Sequence, residues 1–187
     1  MLQQQNPVRG FLCSVGLQPE IHVEFQYNPT QLSDKRAVTY TTLNAPGLLL
    51  PVRQYSQGGD RTISFTVRID GLFKGPADDK INIWRDENGS ITPELNKYRA
   101  FLYPQTGRWY EAEASFQGLY AENQAFSSPP GCRFGFGDRV IDCIVTDVSI
   151  TELLFNDQLA PVRAEVAVTL VELAYYGNEA TPPPEGG

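Results

Sequence analysis

Residues 61–70 read RTISFTVRID, with Ile63, Phe65, Val67 and Ile69 alternating against Thr62, Ser64, Thr66 and Arg68. A period of two held this long describes an extended strand with one dry and one wet face. Such a strand needs a sheet around it and a second layer over its dry face, so it commits the chain to a β architecture. Residues 20–28 repeat the pattern, with Ile21, Val23, Phe25 and Tyr27 against His22, Glu24 and Gln26. Asn28-Pro29-Thr30 ends it, because proline has no ladder donor and restricts the residue before it. Residues 139–150 (RVIDCIVTDVSI) are apolar on both faces in places, which predicts a strand covered on both sides. In residues 162–174, Val162, Ala164, Val166, Val168 and Leu170 share one face. Weaker strands are expected at 10–17, 35–42 and 132–136.

One helix interrupts this series, at about 93–103. Thr92 is placed to cap it, Pro93 suits the first helical position, and Glu94 complements the positive end of the dipole. Leu95, Tyr98 and Leu102 then form one apolar stripe, and Pro104 stops the helix. Residues 44–59 hold two Pro and three Gly between strands expected to pair. They read as a long loop, of the kind that is usually functional or bound by a partner. Residues 123–131 read as a second irregular connector. The expected organisation is one β domain over 1–176 and a flexible Pro- and Gly-rich tail over 177–187 (GNEATPPPEGG).

Composition closes off several functions. The 187 residues carry 15 basic and 22 acidic side chains, a net −7, and no basic tract. Affinity for nucleic acid comes largely from phosphate neutralisation, so nucleic acid is not an expected partner. No run approaches the ~20 apolar residues of a membrane span, and residues 10–17 (GFLCSVGL) are too short for a secretion signal. Direct membrane insertion is therefore not expected. Cys13, Cys132 and Cys143 are odd in number and widely spaced, which fits a reducing cytoplasm and argues against a disulfide framework. With a single His, the chain is not expected to hold a metal ion or any cofactor.

Catalytic parts are equally sparse. His22 lies in the polar register of its strand and reads as a solvent-facing side chain, with no nucleophile near it in sequence. Gly135-Phe136-Gly137 opens like a dinucleotide fingerprint, but Val140 stands where the third glycine belongs. Asp78-Asp79 and Asp86-Glu87 are separated by Lys80, Ile81 and Ile83, which breaks the alternation of a calcium loop. Trp84, Trp109 and Tyr110 read as core or subunit contacts rather than a ligand platform. Paired carboxylates remain the one catalytic device the sequence leaves open.

The end of the chain carries a more specific signal. Phe155-Asn156-Asp157-Gln158-Leu159-Ala160-Pro161-Val162-Arg163-Ala164-Glu165-Val166, followed by Thr169-Leu170-Val171-Glu172, resembles the closing hairpin of the contractile injection system tube and adaptor family. Members read there as an aromatic, a short polar turn, Pro-Val-Arg-Ala, then alternating apolar residues ending in Leu-x-Glu. Phe25-Gln26-Tyr27-Asn28-Pro29 is similar to the family's early F-x-x-N-P strand end. Residues 61–71 resemble its middle strand, and 132–150 its penultimate pair.

The resemblance implies a mainly β, phage-tail-tube-like fold: a two-sheet sandwich or flattened barrel with one external helix. It also implies a structural adaptor and not an enzyme. Such a protein forms a homo-hexameric ring that joins the inner tube to the baseplate hub and spike and initiates tube assembly. The implied partners are further copies of the chain, the inner tube protein, the spike or hub protein and other baseplate proteins, assembled in the cytoplasm into an injection particle. Many relatives continue into a LysM domain; residues 177–187 (GNEATPPPEGG) do not resemble one, so cell-wall binding is not among the expectations. A plain tail tube or tail-completion protein is the neighbouring reading, and a monomeric β-sandwich that binds a ligand is the alternative of another class. A ring of six would carry six times the chain's −7, so a lumen lined by polar or acidic groups is expected, with residues 35–42 as the candidate lining. Arg163, opposite the apolar register of its strand, is expected to reach an acidic group across a subunit interface.

Overall fold

The alternation at 61–70 is the second half of a 19-residue strand. The computed structural model describes residues 8–16, 20–43, 50–73, 83–103 and 128–173. Seven strands and one helix follow in chain order: β1 (Phe11–Val15), β2 (His22–Glu24), β3 (Leu32–Leu43), β4 (Val52–Asp70), α1 (Thr92–Ala100), β5 (Gly131–Phe136), β6 (Arg139–Phe155) and β7 (Pro161–Glu172). The fold is mainly β, as expected, and its layers belong to one continuous antiparallel sheet of order β2-β1-β5-β6-β7-β4-β3.

That sheet rolls over on itself without closing. Phe134 of β5 and Phe65 of β4 lie three strands apart in the order, yet their rings stack at 5.1 Å. Phe25, just past β2, meets Phe65 at 5.3 Å and Phe134 at 6.3 Å. Contact between strands so distant in the ladder requires the sheet to curl until its inner face meets itself. Ile63, Phe65, Val67 and Ile69 all point into this core, as do Val162, Ala164, Val166, Val168 and Leu170. β6 departs from expectation: Ile141, Cys143 and Val145 are buried, but the strand beyond them is largely exposed, so no second cover lies over it among the described residues.

Helix α1 contributes Leu95 and Tyr98 to the core, with Ile91 and Phe101 at its ends. It is shorter than expected, and Thr92 is not its cap. The cap position is Ile91, which makes no side-chain bond to the helix, while the Thr92 hydroxyl shares a hydrogen bond with Ser90 Oγ at 2.8 Å. The segment ahead of the helix is anchored to β7 through Ile91 N, which donates to Pro161 O at 2.9 Å. Buried Glu94 accepts from Lys97 Nζ at 2.8 Å and from Trp84 N at 3.1 Å, which satisfies its charge locally. Lys97 also sits 5.7 Å from the Trp84 ring centroid.

Strand β2 is only three residues long; past it, Phe25 N still donates to Gly10 O at 2.8 Å, and Gln26 then turns to β4. Gln26 substitutes for a strand at the end of β4: its Nε2 donates to Asp70 O at 3.0 Å and its Oε1 accepts from Asp70 N at 2.7 Å. The ring stack is the part of the core most sensitive to truncation. Phe65→Ala should lower the unfolding free energy by about 3–5 kcal/mol, read as a lower urea midpoint at unchanged slope.

Candidate functional site

The exposed chemistry of this chain lies along its strand edges. In order, β6, β7, β4 and β3 are the long strands, of 17, 12, 19 and 12 residues. β3 is the end of the sheet, and over its 12 residues the outer edge pairs with no strand among the described residues. β5 pairs with β6 only through Cys143. From Ile144 to Phe155 the β5 side of β6 pairs with no strand among the described residues. Unpaired edges of this length are templates for another chain.

The distal halves of β3 and β4 form a two-stranded arm. β7 pairs with β4 only from Thr62 onward, so among the described residues 36–43 and 52–61 pair with each other alone. Both faces of the arm are open: Val38, Tyr40, Leu43, Val52 and Tyr55 are each about half exposed (47–60 %). Tyr40 and Tyr55 pair edge-on at 6.1 Å. This corrects the loop expected at 44–59, since residues 52–59 are strand. The glycines that suggested a loop serve a bulge. Between Arg36 and Val38 the register slips so that Ala37 faces both Gly59 and Asp60, and a Cβ on Gly59 would come within 2.8 Å of the Ala37 carbonyl. Such bulges sharpen the local twist.

At the root of the arm one guanidinium joins three strands. Arg61 donates to both Asp34 carboxylate oxygens, at 2.9 and 2.6 Å, and to Glu172 Oε1 at 3.1 Å. Its hydrogen bonds hold the Asp34 carboxyl below its ordinary value. A lowered carboxyl pKa means this tie is complete above about pH 4 and is lost as acidification protonates Asp34.

The outward face of β4 and β7 is polar and internally neutralised. Arg68 reaches Glu165 at 2.9 Å, and Arg163 reaches Asp70 at 2.8 Å. Ser64, Thr66 and Thr169 extend the face towards the arm. Arg163 thus has an acidic partner within the chain, because the β4–β7 register sets Asp70 directly opposite. Above the two pairs lies an open hollow of about 730 Å³ lined by Tyr27, Asn28, Thr30 and the four charged side chains. It is no compact aromatic pocket.

The residues carrying the family resemblance fall in two places. Phe25 is fully buried in the ring stack. Asn28, beside the half-covered Pro29, works like a strand: its Oδ1 accepts from Gly10 N and its Nδ2 donates to Val8 O, both at 2.8 Å. Phe155 and Pro161 face each other across the closing turn, Val162 and Ala164 enter the core, and Glu172 ends β7 on Arg61. Inside that turn Asn156 Oδ1 accepts from Gln158 N and Ala160 N. Leu159 takes a positive φ of 59° and is 82 % exposed.

Other sequence candidates resolve into structure. Asp86 Oδ1 accepts from Asn88 N and Ser90 N, a turn cap rather than an ion ligand. In the Gly135-Phe136-Gly137 segment, Gly135 lies under the Phe11 ring, and Gly137 takes the positive φ of the β5–β6 turn. Cys132 and Cys143 are direct cross-strand neighbours in the core, and burial pushes both thiols up to about 12. Residues 78–79, 104, 109–110 and 177–187, and most of the connector at 123–131, lie outside the described residues. Sequence spacing missed one gathering: Cys13, Glu20 and His22 meet on the β1–β2 hairpin.

The fold is an open, mainly β roll with a projecting arm and long edges that are unpaired among the described residues. The family is then specific. The model of the contractile injection system tube protein family matches residues 14–180, and the chain belongs to that family. No curated protein matches it.

Two outcomes follow from this geometry. Arg61→Ala should change global stability by about 1 kcal/mol or less, as for other exposed ion pairs. It should nonetheless speed amide exchange selectively over 36–43 and 52–60, read by exchange mass spectrometry. A thiol reagent at pH 8 should leave Cys132 and Cys143 unmodified until the chain is unfolded.

Proposed function

We propose that the chain forms a closed homo-hexameric ring in a contractile injection particle, seated where the inner tube meets the baseplate hub and spike, and that it initiates tube assembly there. The observation that carries the ring is the pair of free edges. β3 ends one side of the four long strands and the distal half of β6 ends the other. An edge that pairs with a different edge makes a head-to-tail contact, which closes into a ring when the rotation permits. The arm gives a second reason: a two-stranded ribbon is marginal in water, and a neighbouring copy would supply the missing contacts.

In such a ring the strands run on from copy to copy, and the outward face of β4 and β7 becomes the wall of the lumen. Ser64, Thr66 and Thr169 would wet that wall, and the two ion pairs would leave it without net charge, so passing cargo meets little to hold it. Residues 35–42 continue the wall into the arm. The protein acts by shape, as a rigid template and force-bearing ring, and not by catalysis. Its place at the hub rests on the resemblance of the closing hairpin to the adaptor members. The family description, tube protein, favours a second reading in which the rings repeat along the whole tube.

Sedimentation of a gentle native lysate separates these readings from a free protein. The chain should travel with a megadalton particle that also contains tube and sheath proteins; migration near 20.8 kDa beside intact particles would overturn the assignment. Gold-labelled antibody at one end of the tube supports the adaptor, and label along its length supports the repeating tube. Proline at Thr41 and at Thr42 tests the edge, since adjacent amides point to opposite sides of a strand. The substitution whose amide faces away from β4 should leave a folded monomer and remove the ring.

A further inference from the structure

The register of the β1–β2 hairpin sets Cys13 directly opposite His22. Glu20, two residues ahead of His22, falls on the same side by the period of two. The result is a thiol, a carboxylate and an imidazole whose ligand atoms all lie within 4.8 Å of one another. The alternate residues Leu12, Ser14, Ile21 and Val23 turn inward and are buried. The cluster therefore sits on the outer face of a hairpin whose inner face is fixed in the core.

We propose that Cys13, Glu20 and His22 bind a divalent transition-metal ion of the zinc type, which clips the short edge strand β2 to β1. The donor set is the mixture that a borderline-soft cation selects: thiolate, imidazole and carboxylate, with the fourth position left to water. Bonds of about 2.0–2.3 Å to a tetrahedral ion would set the ligand atoms roughly 3.3–3.8 Å apart. Closing from the observed spread takes side-chain adjustments of about an ångström and no movement of the backbone.

Three features hold the site ready. Ser14 N donates to Ile21 O, and Ile21 N donates to Ser14 Oγ, both at 2.9 Å, which pins the two strands beside the ligands. The Phe11 ring stacks on the His22 imidazole at 6.0 Å and 19°, orienting it. Phe11 is itself seated over Gly135, where a Cβ would come within 2.2 Å of the ring. The neighbouring cation does not compete for the ion's place: Arg133, across from Cys13 on β5, is paired with Asp142 at 2.8 Å. The Cys13 thiol lies beside the Glu20 carboxylate. On binding, that thiol gives its proton to solvent, an S–metal bond replaces the S–H bond, and nothing is oxidised. This inference stands on the hairpin alone and does not depend on the ring.

The test is titration of the reduced, chelator-stripped full chain with Co²⁺, followed by displacement with Zn²⁺. A thiolate-to-cobalt charge-transfer band should appear and saturate at one ion per chain. It should vanish in Cys13→Ser and persist in Cys132→Ser. His22→Ala and Glu20→Gln should each weaken binding by at least roughly tenfold, the loss that even outer-shell changes cause. Circular dichroism confirms that each variant is folded. Zn²⁺ should also raise the melting temperature of the wild type and not of Cys13→Ser. Absence of the band, a band that survives Cys13→Ser, or equal affinity in His22→Ala would each overturn the site.

Discussion

The stack of Phe65 on Phe134 governs the rest of the molecule, because it joins strands that the ladder keeps three positions apart. To make that contact the sheet must curl, and curling sorts its faces into a dry interior and a wet exterior. The twist that antiparallel strands carry by default supplies part of the curvature, and the bulges in β4 and β6 add more. Closing a barrel would have removed both edges. Here the roll stops short, with β2 at one end and β3 at the other. The edge at β2 is three residues long and offers little to pair with, whereas that at β3 runs for 12. This asymmetry turns a core-packing problem into a surface for assembly.

Strand length makes the same point from the other side. The core needs β4 only from about Thr62 to Asp70, yet the strand begins ten residues earlier, at Val52. Nothing among the described residues covers the surplus, and its apolar side chains are about half exposed. Arg61 fixes the root of this arm through two acidic side chains on different strands, so the arm leaves the sheet in a defined direction. A free monomer gains little from ordering such a ribbon; an assembled copy would gain a paired edge and covered tyrosines.

What could be read in the sequence divides along a physical line. The strand at 61–70 and that at 162–170 were legible because one face of each is buried, and burial writes a period of two into the residues. The arm was legible only in its first strand, expected at 35–42; its second, from Val52 to Asp60, was not, because both its faces are exposed and Gly58-Gly59, which serves a bulge, resembled a turn. The partner of Arg163 was hidden because it depends on the register between β4 and β7, which pairs positions 93 residues apart. The cluster of Cys13, Glu20 and His22 was missed for a related reason. Counting donors along the chain finds one His and three widely spaced Cys, while the hairpin brings Cys13 and His22 face to face. Strand existence is a local property and was readable; edges, arms and convergent side chains are products of pairing.

Charge bears on how such copies could come together. A chain of net −7 repels its own kind, and association among like-charged bodies weakens further as more are added. Attraction between charges is therefore not the force that would hold a ring. Three arginines of β4 and β7 are engaged within the chain: Arg61 on Asp34 and Glu172, Arg68 on Glu165, Arg163 on Asp70. With those three engaged internally, the edges and the arm still offer a neighbour backbone hydrogen bonding and apolar contact. Both are short-ranged and indifferent to net charge. They reward a neighbour of matching strand length and twist, and another copy of this chain matches itself.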